Sequence, residues 1–105
     1  MISTHILDTT KGSPASGVTV KLDKLYENNW AEISTDQTNP DGRIVFNCPH
    51  EAGTYRLTFM IETYYRHEEH FFMNTPIIFQ IKNTNRKYHV PLLLNPYGYS
   101  TYRGS

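Results

Sequence analysis

A chain of 105 residues, 38% of them hydrophobic, has room for a single domain, 1–105, with a core small enough that self-association would add usefully to its stability. Its formal net charge of zero argues against a nucleic-acid partner held through phosphates, which needs a basic surplus, and its one cysteine, Cys48, excludes an internal disulfide. No apolar run approaches the roughly 18 residues of a membrane span. Met1-Ile2-Ser3-Thr4 has neither the basic nor the apolar region of a secretory leader, so the chain as given is expected in the cytoplasm without a membrane partner.

Short segments of strict apolar and polar alternation, separated by turn residues, run through the chain in the pattern of half-buried strands. The first is Ile2 to Asp8, closed by Thr9-Thr10-Lys11-Gly12-Ser13-Pro14. In the second, Val18, Val20 and Leu22 point one way and Thr19, Lys21 and Asp23 the other; Trp30 to Thr35 makes the third. Asn39-Pro40-Asp41-Gly42 is a turn, with Gly42 free to take positive φ, and it leads into a short strand over Ile44 to Phe46. Thr54 to Ile61 places Tyr55, Leu57, Phe59 and Ile61 on one apolar face. Glu62 to His70 breaks the alternation and is the one place where two helical turns are expected. Pro76 to Lys82, Tyr88 to Leu94 and Tyr97 to Arg103 complete eight strands. Eight short strands and at most one small helix predict an all-β sandwich.

Charge is uneven along this chain. All ten acidic residues lie within 1–70, whereas 71–105 carries Lys82, Arg86, Lys87 and Arg103 with no acid. This is either a solvated tail or a locally positive site for an anionic small molecule. The last eighteen residues, Tyr88 to Ser105, are dense in Tyr and Arg, which suits a terminus held against something rather than frayed. In Tyr88 to Leu94 the period of two sends Tyr88, Val90, Leu92 and Leu94 to the core and His89, Pro91 and Leu93 to the opposite face. Pro91 removes a ladder donor, as an edge or bulge would allow. Tyr97, Tyr99, Thr101 and Arg103 are expected to share one face, which from the pattern alone is either a wet surface or a site.

His67 and His70 flank Glu68-Glu69 but do not form the His-Glu-x-x-His zinc pattern, and they are read as solvent-facing. His50 has no evident partner. Cys48 is read as a small buried hydrophobe. No nucleophile elbow, phosphate loop or dinucleotide fingerprint is present.

Three stretches together, His5-Ile6-Leu7-Asp8-Thr9-Thr10-Lys11-Gly12-Ser13-Pro14-Ala15, Pro40-Asp41-Gly42-Arg43 and Tyr88 to Ser105, resemble the signatures of the transthyretin-like family. Gly53-Thr54-Tyr55-Arg56-Leu57 and Phe71-Phe72 keep family order between them. The hydrolase branch, the 5-hydroxyisourate hydrolases, is marked by four features, matched here by His5, Arg43, His89 and Tyr102-Arg103-Gly104-Ser105. Asn95 stands where the family usually has Ser, and Met73 where Pro is common. The resemblance implies a sandwich of two four-stranded sheets with one short helix. It also implies a homotetramer, a dimer of dimers with sites at the dimer–dimer interface. The implied substrate is a small molecule, 5-hydroxyisourate, opened by water without metal or organic cofactor. His5 and His89 would activate water and move protons, and Arg43 would polarise the carbonyl. His5 and Arg43 would also contact substrate, with Tyr102, Arg103 and Ser105 closing the pocket. A non-catalytic carrier and a plain interaction module are the competing readings.

Overall fold

The computed structural model describes all 105 residues. Nine strands and one helical turn follow in order: β1 (Ile2–Asp8), β2 (Ser13–Pro14), β3 (Thr19–Tyr26), β4 (Asn29–Gln37), β5 (Arg43–Phe46), β6 (Gly53–Phe59), α1 (Ile61–Tyr64), β7 (Thr75–Ile81), β8 (Tyr88–Asn95) and β9 (Gly98–Thr101). One sheet runs β4-β3-β6-β7. The other runs β2-β1-β8-β9 with β5 also on β1, so that four full strands are joined by the two-residue β2. The two sheets face each other as a sandwich, and the side chains between them are those the alternation assigns inward. Ile6, Leu92, Leu94, Val20, Leu22, Leu57 and Phe59 are all buried. Each such side chain contributes roughly 1.5–3 kcal/mol of transfer free energy.

The pairing that matters for function joins the two ends of the chain. β1 and β8 run parallel, with Ser3 opposite His89, His5 opposite Pro91 and Leu7 opposite Leu93. On the other flank of β1, β5 runs antiparallel and sets Arg43 opposite His5. Because Ile2, Thr4, Ile6 and Asp8 point into the core, Ser3, His5 and Leu7 must point out, and their partners on β5 and β8 with them.

The turn before β5 is built as the sequence predicts. Asn39 Oδ1 accepts from the amides of Asp41 and Arg43 at 3.0 and 2.9 Å. Gly42 takes φ 75°, and a Cβ there would lie 2.6 Å from the Ile6 carbonyl oxygen. Only glycine fits, and the close approach fixes the register that delivers Arg43 to His5.

Two expectations are corrected. The helix is a single turn, Ile61–Tyr64, rather than two turns over Glu62 to His70. Glu62 is drawn away from the charged run by reciprocal bonds with Asn74, its amide donating to Asn74 Oδ1 at 3.1 Å and its Oε2 accepting the Asn74 amide at 2.9 Å. The turn has no side-chain cap, and the chain beyond it tightens through the Arg66 amide on the Thr63 carbonyl at 3.3 Å. His67 is exposed as expected, but His70 is half-covered and stacks on Tyr65 with ring centroids 5.7 Å apart.

The last strand also differs: it ends at Thr101, so Tyr97 lies in the turn and Arg103 beyond the strand. Tyr99 and Thr101 pair with Leu94 and Leu92 and turn toward the sandwich interior. Pro91 would oppose Tyr102, and without an N–H it cannot extend the ladder. Pairing resumes on the same register at His89 and Gly104, where the Gly104 amide donates to the His89 carbonyl at 2.7 Å. At the other end of β9, Asn95 Oδ1 accepts the Tyr97 amide at 2.9 Å, so Asn in place of Ser still makes the turn. Cys48 is half-buried against the core.

Candidate active site

Three adjacent strands, β5, β1 and β8, present Arg43, His5 and His89 side by side on the outward face of one sheet. Arg43 is exposed, and the two histidines are half-buried. Arg43 lies directly across from His5, at the roughly 4.8 Å spacing of neighbouring strands, and His89 lies on the other flank of β1, opposite Ser3 and so two residues along from His5.

His89 is the most constrained of them. Its Nδ1 lies 2.8 Å from Ser3 Oγ, across the parallel pairing, which leaves Nε2 as the free ring nitrogen. Burial is the main reason its pKa is lowered from the ordinary histidine value, and the positive charges of Arg43 and His5 add to the effect. The imidazole is therefore neutral at neutral pH and can take up a proton. Ser3 was not picked out in the sequence, although the same period of two that exposes His5 exposes Ser3 beside it.

The terminal segment lies over this histidine. A Cβ on Gly104 would fall 2.6 Å from His89 Cδ2 and 3.3 Å from Cγ, so glycine is what lets the backbone rest on the ring. Gly104→Ala should lift the segment and rehydrate the imidazole. The His89 pKa should then rise toward about 6.5, the ordinary value, in a ring-proton NMR titration. An unchanged titration would show that the segment does not desolvate His89.

A hollow of about 260 Å³ opens here, lined by Ser3, Arg43, Val45, Lys87, His89 and Ser105 among others. His5 stands on the same face, near enough for its charge to act on His89, but does not line the hollow. Tyr102 and Arg103 are elsewhere. They line a separate cavity of about 170 Å³ between the open edges of the two sheets, with Ile77, Phe79, Tyr88, Val90 and Thr101. The six residues singled out in the sequence thus fall into two groups within one chain: His5, Arg43, His89 and Ser105 together, Tyr102 and Arg103 apart. The tail between them is short, so the division lies within three consecutive residues.

Nowhere do three or more His, Cys, Asp or Glu side chains gather as a metal-ligand group, and no helix is long and apolar enough to cross a membrane.

Known proteins resemble this chain along its whole length. A 5-hydroxyisourate hydrolase from Salmonella dublin is 46% identical over 110 residues, an alignment spanning 100% of this chain and 81% of the relative. Among solved structures, a Klebsiella pneumoniae 5-hydroxyisourate hydrolase superposes with a TM-score of 0.86 at 39% identity, covering 99% of this chain and 98% of the other. Transthyretin from Sparus aurata superposes with a TM-score of 0.89 at 29% identity, covering 98% and 95%. The backbone is about equally close to enzyme and transthyretin, at TM-scores of 0.86 and 0.89. The family model described as HIUase/Transthyretin matches residues 2–104, and the chain belongs to that family.

Proposed function

We propose that this chain is a 5-hydroxyisourate hydrolase, acting in urate degradation within purine catabolism and yielding 2-oxo-4-hydroxy-4-carboxy-5-ureidoimidazoline. The observation that carries the reading is the side-by-side placement of Arg43, His5 and a neutral, oriented His89 on one sheet face. Such a set has what acyl carbon–nitrogen hydrolysis needs: a base for water, a cationic donor for the oxyanion, and an acid for the leaving nitrogen.

In the tautomer whose Nδ1–H donates to Ser3 Oγ, Nε2 of His89 carries the lone pair that takes a proton from water. The oxygen adds to the ring carbonyl, and the planar fork of Arg43 holds the developing oxyanion. The carbon–nitrogen bond then breaks with its electron pair going to nitrogen, which receives a proton from the histidine pair. His5, beside Arg43, serves as the second proton carrier. Ser105 borders the same hollow and orients substrate, whereas Tyr102 and Arg103 line the cavity between the sheet edges, where a second copy would meet them.

That assembly is proposed to be a homotetramer, a dimer of dimers with the sites at the dimer–dimer interface. β7 and β9 are the unpaired edges at one side of both sheets, and aromatic side chains stand exposed beside them: Phe71 at 73%, Tyr97 at 62% and Tyr99 at 40%. Unpaired edges of this kind invite pairing with a second copy. A hormone-type carrier is disfavoured because His5, Arg43 and His89 would be costly lining for an apolar ligand.

The pH profile tests the reading. A lowered pKa keeps His89 in its base form further into acid, so kcat/KM should stay level as pH falls from 7 to about 6.5 and drop only below that, the ordinary histidine value. An acid limb centred above 6.5 would contradict His89 as the base.

A further inference from the structure

Lys87 stands in the walls of two neighbouring hollows. Besides the one at His89, a second hollow of about 280 Å³ is bordered by Lys87, Arg86, Asn85, Thr84 and His50, and both hollows share Lys87 and Met1 in their walls. No aspartate or glutamate lines either one. The four ion pairs of the molecule use Lys11, Lys24 and Arg56 as their cations, so Arg43, Arg86 and Lys87 take part in none. Arg86 lies over the Tyr88 ring, 5.6 Å from its centroid. Unpaired cations along connected concave walls concentrate an anion there.

The reaction makes such an anion. Water oxygen bonds to the acyl carbon, the carbon–nitrogen bond breaks, nitrogen takes a proton, and the resulting carboxylic acid ionises at neutral pH. The new negative charge therefore appears in the hollow of Arg43 and His89, next to Lys87. Resting on the hydrolase reading above, we propose that Lys87 binds the carboxylate created by hydrolysis, and that the two hollows form one cationic path along which ureido-carboxylate product leaves.

Hydantoate, a stable ureido carboxylate, and its uncharged amide are the probes. Both are assayed as competitive inhibitors of the wild-type protein, Lys87→Gln and Lys87→Arg. Hydantoate should inhibit the wild type more strongly than the amide. Lys87→Gln should weaken hydantoate by about fivefold, the scale of one solvated charge contact, leave the amide unchanged, and lose its effect near 0.5 M salt. Lys87→Arg should keep hydantoate inhibition. Equal inhibition by the two probes in the wild type, or no change in Lys87→Gln, would overturn the proposal. Direct titration of hydantoate by NMR separates the two claims: Lys87-dependent binding in a protein that leaves 5-hydroxyisourate intact would uphold the anion site and refute the hydrolase reading.

Discussion

His89→Ala is expected to keep the sandwich and to lose about 10² to 10⁴ in turnover, the usual cost of removing a positioned acid or base. The fold should survive because His89 points outward, while Tyr88 and Val90, on either side of it, carry the core contacts. Its hydrogen bond to Ser3 is only part-buried, so water can replace the imidazole without stranding a donor. His5→Ala should behave in the same way, since its neighbours Thr4 and Ile6 are the buried ones. Turnover and thermal midpoint measured together decide each case. Wild-type turnover in either variant removes that histidine from the mechanism, and a collapsed midpoint makes its role structural.

Arg43→Lys is expected to cost about 10² to 10³ in kcat, the range for losing an oxyanion donor, although net charge is unaltered. Arg43 is exposed, follows the Gly42 turn, and takes part in no ion pair, so stability does not depend on its guanidinium. What lysine cannot reproduce is the planar fork. A point charge steers an anion but does not hold a carbonyl edge in one orientation. The deficit should therefore lie in kcat more than in KM. A variant with wild-type kcat would reduce Arg43 to surface charge.

The strands were legible in the sequence because their signal is local. In Tyr88 to Leu94 the period of two alone sends Tyr88, Val90, Leu92 and Leu94 inward, and all four are buried. The juxtaposition of His5, Arg43 and His89 was legible only through resemblance, since a parallel pairing between residues 86 apart has no local mark in the chain. That the helix is a single turn does not show in propensity, because the tightening of the chain beyond Tyr64, with the Arg66 amide on the Thr63 carbonyl, has no mark in the sequence. The break in the last ladder was partly visible at Pro91, yet its consequence was not. Losing one donor moves Tyr102 and Arg103 into the inter-sheet cavity, while the return at Gly104 brings Ser105 back to His89. Ser3, Gly104 and Lys87 acquire meaning only once those strands lie side by side.

The separation of Ser105 from Tyr102 and Arg103 also bears on assembly. The cavity that holds the latter pair opens between the free edges of β7 and β9, where a second copy would close it. In that assembly the four-residue segment 102–105 would serve the chemistry through Ser105 and the edge contact through Tyr102 and Arg103.

The central claim is tested most directly by following the ultraviolet absorbance of freshly generated 5-hydroxyisourate with the wild-type protein, the His5→Ala/His89→Ala double variant, and no protein. Fast decay is expected with the wild type and decay near the spontaneous rate with the double variant. Decay at the spontaneous rate in the presence of correctly folded wild-type protein would contradict it.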